Sequence, residues 1–433
     1  MFKAVAGYYK DNERLRLLVK IIAVWLISRV VMLLMVPVMN LIADEPHQWL
    51  YYMNPWDAEW YKGIVENGYQ PPKSSGMASW AFFPLYPLVC MAVRLVTMGS
   101  IDTYAVGMTV SNICIIIAVY YAVKYADIEI DMKKYNKKTV EDIIIFLMLA
   151  GPFAVYYGAM YTEALFILCV ILCFYNSARH NYMAAGIAAA MASATRIVGC
   201  MLVFVLITYM FMEACAECRA KHNSKVKDNK EAGIIDKYML TDEAGIMLAG
   251  NISLASVIRT FIKNVIKEPK KLVAIMISPL GIFIYMNYLR YLCGDSWAFY
   301  HVQRAWRTQK MFPVIGVLFK SCTGQLTAAS GVKTLNGIIL GWLCVITLML
   351  YAAMIRKKHY ALGIFGIIVL LIPLTSSVMS TLRFIMGSFV IYIGVAEIIA
   401  GCNRYVRYGI IALMSIVEVV VISAWYFWDG LLM

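Results

Sequence analysis

Charged residues are scarce in this sequence. Asp, Glu, Lys and Arg make up 15% of the 433 residues, whereas hydrophobic residues make up 62%. The mean hydropathy is +0.70, well above the range of water-soluble domains. This composition excludes a soluble enzyme and a disordered chain, and it predicts a membrane protein.

Acidic residues are the scarcer charged class, with 26 Asp and Glu against 39 Lys and Arg, which gives a net charge of +13. In a chain this apolar, the excess of Lys and Arg is typical of cytoplasmic loops and not of nucleic-acid binding. We therefore expect membrane lipids, and no nucleic acid, among the partners.

The sequence also lacks a disulfide framework and a zinc motif. Its 11 Cys residues are scattered, mostly inside apolar runs, as expected for small buried side chains. A single C-x-x-C pair, Cys215 and Cys218, has no further Cys or His at ligand spacing. The sequence therefore requires no cofactor, and it leaves open only a divalent metal ion at paired carboxylates.

Eleven apolar stretches are candidates for membrane-spanning helices, each of which needs about 20 residues. They cover residues 17–42, 104–126, 142–155, 163–178, 182–195, 197–213, 272–292, 335–355, 360–378, 382–400 and 406–427. Two stretches, 142–155 and 182–195, are short and are followed by another short apolar stretch, which indicates helical hairpins that open into a cavity. The sequence predicts an all-α polytopic protein in which residues 1–433 form a single integral membrane domain.

Lys and Arg decide the side of each loop, because acidic residues contribute little to orientation. They place the loop 213–271 in the cytoplasm and the two long loops 43–103 and 293–334 outside. This topology requires the apolar piece 82–98 to lie at the outer interface. A full span there would instead put the lysines at 133–138 outside. We therefore expect interfacial helices in the first outer loop.

The first outer loop holds the most informative motif. Asp57 and Glu59 lie just outside the membrane among Trp56, Trp60 and Tyr61. A carboxylate held against aromatic rings is a candidate general base. The same pattern also fits a simple aromatic belt with solvated acids.

Two further candidates lie at the tips of the predicted hairpins. Glu163 begins an apolar stretch, where a carboxylate would either cap the helix or face a membrane cavity. Arg196 interrupts an apolar run and needs an anionic partner, either Asp57, Glu163 or a bound phosphate.

The remaining candidates are basic. Arg304 and Arg307 are spaced i and i+3, with His301 one turn earlier, which predicts one polar face of an interfacial helix that also fits lipid headgroups. Arg383 lies at the outer end of a span, where snorkelling explains it as well as function does. Carboxylates and arginines in one outer cavity suit a lipid-borne phosphate and a hydroxyl to be deprotonated.

The outer motifs resemble the PIG-V family, the GPI mannosyltransferase II-like glycosyltransferases of the GT-C superfamily. In chain order between residues 20 and 200 they are Trp56-Asp57-Ala58-Glu59, Gly68-Tyr69, Ala81-Phe82-Phe83-Pro84-Leu85-Tyr86-Pro87, Tyr161-Thr162-Glu163-Ala164-Leu165-Phe166 and Ala194-Thr195-Arg196. Gly294-Asp295, with Ala298-Phe299 and Gln303, is similar to prokaryotic members.

The resemblance implies a GT-C fold with about 11 transmembrane helices. It also implies a mannosyltransferase that transfers a hexose from a polyprenyl-phosphate sugar to a glycan or lipid-linked acceptor outside the membrane. The essential acid of the family maps onto Asp57 and a second acid onto Glu163. Trp60 departs from the common Trp-Asp-x-x-His pattern, which puts metal ligation there in doubt. The long luminal insertions of eukaryotic members are missing, which favours a bacterial plasma membrane.

These expectations combine into one mechanism. Asp57 would act as general base in an inverting transfer, and Glu59 is a further catalytic candidate. Glu163 would orient the acceptor or bind a divalent ion with Asp57. The donor phosphate would be held by Arg196, Arg304, Arg307, Arg383 and His301. The substrate would be lined by Trp56, Trp60, Tyr61, Tyr86 and Tyr161.

The alternative is a transporter or lipid flippase, in which the same charges form an ion or lipid pathway. A transporter predicts internal pseudo-symmetry and charges at the membrane midplane. In this sequence the candidate charges concentrate at one face. A noncatalytic assembly subunit that keeps the same fold is a third reading.

Overall fold

The computed structural model describes residues 12–43, 46, 48–73, 75–228, 253–305, 313–325, 334–375, 378–427 and 432, with side chains except at 223–228. Within these ranges the chain forms α-helices, short 3-10 turns and no β-strand. In chain order the helices are α1 (Glu13–Asn40), α2 (Trp49–Tyr52), α3 (Asp57–Asn67), α4 (Leu85–Val96), α5 (Thr103–Glu129), α6 (Lys137–Leu149), α7 (Glu163–Ala178), α8 (Tyr182–Thr195), α9 (Leu202–Asp228), α10 (Leu254–Lys267), α11 (Pro269–Ile277), α12 (Leu280–Cys293), α13 (Ala298–His301), α14 (Val314–Cys322), α15 (Thr334–Arg356), α16 (Tyr360–Leu374), α17 (Thr381–Gly387), α18 (Val390–Gly401) and α19 (Arg404–Tyr426). The predicted all-α class is confirmed.

Each of the eleven predicted spans overlaps a helix or consecutive helical pieces in the described residues. Five helical segments in the described residues are long and apolar enough to cross a membrane, and two bent pairs, α11 with α12 and α17 with α18, raise this number to seven. The helices α7, α8 and α16 are apolar but shorter. A polytopic membrane protein is therefore supported, whereas the count of eleven spans is not confirmed.

Local sequence explains where several long helices begin. The Asn12 side chain accepts a hydrogen bond from the amide of Leu15 at the start of α1. Asp102 does the same for the first turn of α5, and Asn403 does so for α19. These short polar side chains satisfy amides that have no partner within the helix, an arrangement that adds about 1 kcal/mol at each helix start.

Small residues bring the hairpin α7–α8 close to its neighbours. A side chain at Gly186 would meet the Ala274 backbone at 2.8 Å, and one at Gly281 would meet the Ala190 carbonyl oxygen at 2.3 Å. Helices in membranes approach this closely only where both surfaces carry small side chains. The helix α8 is thereby held against α11 and α12.

The apolar piece 82–98 forms α4, which has only 12 residues. A helix of that length extends about 18 Å, well short of the roughly 30 Å of a bilayer core. Its Leu88, Leu95 and Val96 side chains are exposed. This geometry favours the interfacial position over a full span.

The predicted cytoplasmic loop 213–271 is only partly described. Its first residues continue α9 to Asp228, and its last part contains α10, which packs on α9 through Phe261 against Phe211. Residues 229–252 lie outside the described residues. The predicted sidedness of the loops stays a prediction.

Candidate functional site

Asp57 is the first residue of α3, and a tight turn places it there. Trp56, immediately before it, has a backbone φ of 48°. This left-handed conformation costs a bulky residue on the order of 1–3 kcal/mol and persists only where surrounding contacts enforce it. The strained backbone at Trp56 therefore indicates that surrounding contacts hold this turn in the shape that positions Asp57.

Two hydrogen bonds tie this turn to the loop that precedes α7. The Asn54 side-chain oxygen accepts from the Met160 amide at 2.7 Å, and the Tyr161 hydroxyl donates to the Pro55 carbonyl at 2.7 Å. Asn54 is 2% exposed. The first outer loop and the tip of the hairpin are thus fixed to each other beside Asp57.

Glu163 is the first residue of α7, and its side chain is 1% exposed. One oxygen, Oε1, accepts from Arg196 Nη1 at 2.6 Å and from Arg383 Nε at 2.5 Å. A buried carboxylate is tolerated when it is paired and hydrogen-bonded in this way, and the helix N-terminus adds favourable electrostatics. Glu163 therefore lies at the start of α7 with its carboxylate directed to two guanidinium groups.

Arg383 joins the two acids. Its Nη1 donates to Asp57 Oδ2 while its Nε holds Glu163. The guanidinium also lies over the Tyr161 ring, 4.8 Å from the ring centroid. Ser380, just before α17, has a φ of 62°, which turns the chain into the short helix that carries Arg383.

Asp57, Glu163, Arg196 and Arg383 form a charge-balanced group, called here the four-charge cluster. Two carboxylates face two guanidinium groups within ion-pair distance. Asp57 is the most exposed member, with 27% of its side chain accessible. The cluster is closed at Glu163 and open at Asp57.

Tyr61 and Tyr161, both predicted to line the substrate, are buried beside the cluster. The Tyr61 hydroxyl donates to Thr162 Oγ1 at 3.4 Å. Burial raises the pKa of Tyr61 well above the usual value, and the negative charges of Asp57 and Glu163 raise it further. The Tyr61 hydroxyl therefore stays protonated around neutral pH and can donate a hydrogen bond.

Glu59 points away from the cluster. Its carboxylate accepts from the Tyr104 hydroxyl at 2.5 Å, and Lys62 lies over the same ring. Its predicted catalytic role stays a prediction.

The other aromatic candidates surround α3. The Trp60 ring stacks on Phe82, and Lys73 lies 4.7 Å from its centroid. Trp56 meets Trp425 edge to face at 5.3 Å. Tyr86 is fully buried, donates to the Gly107 carbonyl at 2.9 Å and contacts the ring of Tyr61.

The basic residues of the second long loop lie elsewhere. His301 pairs with Asp295 at 2.6 Å, and both are exposed. The hydrogen bond from His301 lowers the pKa of Asp295. Arg304 is exposed on the adjacent turn, and Arg307 lies outside the described residues. Phe299 of this loop packs edge to face against Phe83 of the loop 43–103.

A divalent cation shared by Asp57 and Glu163 does not fit this arrangement. The Arg383 guanidinium already occupies the position between the two carboxylates. Among the described residues, no group of three or more His, Cys, Asp or Glu is placed to hold a metal ion.

Sequence reasoning missed Asn54. It carries no charge and belongs to no recognised motif, although it fixes the position of Asp57. The available signal was a polar residue next to Pro55-Trp56-Asp57.

Fold and site together define a polytopic α-helical membrane protein with a cluster of paired charges formed by residues distant in the chain. Residues 15–228 match the family described as Mannosyltransferase (PIG-V). This match confirms the resemblance to the PIG-V family over the part of the chain that holds Asp57, Glu163 and Arg196, and it supports a glycosyltransferase.

Solved structures with a similar course of the chain are those of the oligosaccharyltransferase AglB from the archaeon Archaeoglobus fulgidus. Its complex with an inhibitory peptide and a dolichol-phosphate is 12% identical, with a TM-score of 0.46 over 98% of this chain and 56% of that chain. The apo form is 13% identical, with a TM-score of 0.46 over 98% and 57%. The present chain thus spans a little over half the length of these enzymes. A search of curated proteins found no match.

Proposed function

We propose that this protein is a GT-C-type enzyme that transfers a hexose, mannose in the first instance, from a polyprenyl-phosphate sugar to an acceptor hydroxyl. The acceptor is a glycan or a lipid-linked molecule. The reaction takes place on the extracytoplasmic face of a bacterial plasma membrane. The observation that carries this proposal is the four-charge cluster, together with the family match to residues 15–228.

Asp57 is the proposed general base. It is the member of the cluster that is open to solvent, so an acceptor hydroxyl can reach it. Asp57 takes the hydroxyl proton, the acceptor oxygen bonds to the anomeric carbon, and the bond from that carbon to the phosphate oxygen breaks with inversion.

Arg196 and Arg383 are the proposed stabilisers of the departing phosphate. Guanidinium groups suit phosphate oxygens because their planar donors bind two oxygens at once. The leaving group is already a stable anion, so electrostatic stabilisation and positioning supply the rate enhancement. Glu163 is a positioning residue that holds both guanidinium groups through one oxygen.

The remaining candidates receive secondary roles in the proposal. His301, Arg304 and Arg307 would attract the donor headgroup from the outer rim. Glu59 would support α3 through Tyr104. Rings at the site, Trp56, Trp60, Tyr61 and Tyr161, would contact the sugar or the prenyl chain, with Tyr86 behind them.

The test uses the purified full chain in lipid nanodiscs with undecaprenyl-phosphate mannose, undecaprenyl-phosphate glucose and a lipid extract as the acceptor source. We expect a product heavier by one hexose with the mannose donor, detected by mass spectrometry. Asp57→Asn should abolish it. Glu66→Gln is the matched control, because it also neutralises a carboxylate on α3, but one that pairs with Arg94. Transfer by folded Asp57→Asn protein at the wild-type rate would overturn the base assignment.

A further inference from the structure

The proposed base is not free in this structure. Asp57 Oδ2 is ion-paired with Arg383 Nη1. While this pair is closed, the Arg383 guanidinium occupies the Asp57 oxygen that an acceptor hydroxyl would need for its own hydrogen bond. Something in the reaction cycle must therefore move Arg383 away from Asp57 before Asp57 can take a proton.

Arg383 bridges Glu163 and Asp57, and the different burial of these two carboxylates decides which ion pair opens. Glu163 is 1% exposed and is also held by Arg196 at 2.6 Å. Asp57 is 27% exposed and sits at the open side of the cluster. Arg383 can therefore release Asp57 while its Nε stays anchored on Glu163.

The charge of the cluster favours an anion as the agent of this release. Two carboxylates and two guanidinium groups leave no net charge at rest. A phosphodiester brings one negative charge, competes with Asp57 for Nη1 and repels the Asp57 carboxylate.

We propose that the donor phosphate switches Arg383 from Asp57 to itself, so that Asp57 becomes an active base only in the donor-bound enzyme. This inference rests on the proposed function and adds its regulation. It makes binding ordered, because an acceptor that arrives first meets a carboxylate still paired with Arg383.

The experiment measures the affinity of the full chain in nanodiscs for undecaprenyl phosphate, the product-side ligand that carries the phosphate without a sugar. Asp57→Asn removes the competitor for Arg383 and should tighten binding by about tenfold, which corresponds to about 1.4 kcal/mol. Glu66→Gln should leave the affinity unchanged. In an Arg383→Gln background, the gain from Asp57→Asn should disappear.

Each outcome separates this inference from the function on which it rests. Absence of undecaprenyl phosphate binding in every variant would overturn both. Measurable binding that Asp57→Asn leaves equal or weaker would overturn the switch and leave the donor class standing. A gain that persists without Arg383 would reflect general electrostatics and would also overturn the switch. If Asp57→Asn is not recovered folded, Asp57→Ser removes the same charge and takes its place.

Discussion

Arg383 pairs with Asp57 across 326 positions of the chain, and its Nε also holds Glu163 at 2.5 Å. The residue lies outside residues 15–228, the part that matches the PIG-V family. Without it, Asp57 and Glu163 would share only Arg196 as a nearby cation of the cluster. The site therefore depends on contacts between the two halves of the chain.

Replacing Arg383 should affect both stability and activity. Arg383→Gln leaves two close carboxylates with one guanidinium, and breaking a buried pair costs about 3–5 kcal/mol. We expect a lower melting temperature in detergent and a loss of hexose transfer. Arg383→Lys keeps the charge, but a single ammonium cannot reproduce the forked contact with both acids, so it should recover more stability than transfer. Wild-type transfer in Arg383→Lys would contradict the bridging role.

Replacing Asn54 should lower the rate of hexose transfer, because Asn54 fixes the position of Asp57. Asn54→Ala removes the bonds to the Met160 amide and to the Leu50 carbonyl, at 2.7 and 2.8 Å. Leaving these buried groups without partners costs about 1–3 kcal/mol. We expect kcat to fall while the affinity for undecaprenyl phosphate stays near the wild-type value. Asn67→Ala, at an exposed position on the last turn of α3, is the control and should change neither.

Glu59 and Tyr104 should affect hexose transfer through the one hydrogen bond that joins them. If Glu59 supports α3 through the Tyr104 hydroxyl, then Glu59→Gln and Tyr104→Phe should each reduce transfer to a similar, partial extent. The double variant should be no worse than either single one, because contacting residues are not additive. A loss in Glu59→Gln as complete as in Asp57→Asn, with Tyr104→Phe unaffected, would instead show that Glu59 takes part directly.

His359 should make the stability of the protein sensitive to alkaline pH. It lies between α15 and α16, with Nδ1 2.8 Å from Glu129 and Nε2 3.6 Å from Glu397. Burial alone would lower its pKa, but hydrogen bonds to the two carboxylates outweigh that effect and raise the pKa to about 9.

A pKa raised in the folded state contributes stability that is fully present below the ordinary histidine value and is lost as pH rises through about 9. Melting temperatures measured from neutral to alkaline pH should fall across this window in the wild type. His359→Gln should be less stable at neutral pH and should show a flatter profile. Equal slopes for the two proteins would contradict the assignment.

Much of the helical framework could be read from the sequence because hydropathy is a local property. The stretches 163–178 and 182–195 coincide with α7 and α8 to the residue. The sequence identifies Asp57, Glu163 and Arg196 as site candidates, because a charged side chain in apolar membrane surroundings is costly and marks a functional site. The sequence pattern does not show whether Arg196 pairs with Asp57, with Glu163 or with a bound phosphate.

Tertiary structure decided which charges meet. Sequence alone explained Arg383 equally well by snorkelling and by function, since both place an arginine at the end of a span. Packing of α17 against the hairpin and the first outer loop brought it between two carboxylates. His301, another phosphate-ligand candidate by sequence, lies outside this cluster and pairs with Asp295. Composition and periodicity determine which segments enter the membrane, but an ion pair forms only where the fold brings distant side chains within a few ångströms of each other, and no local pattern encodes that distance.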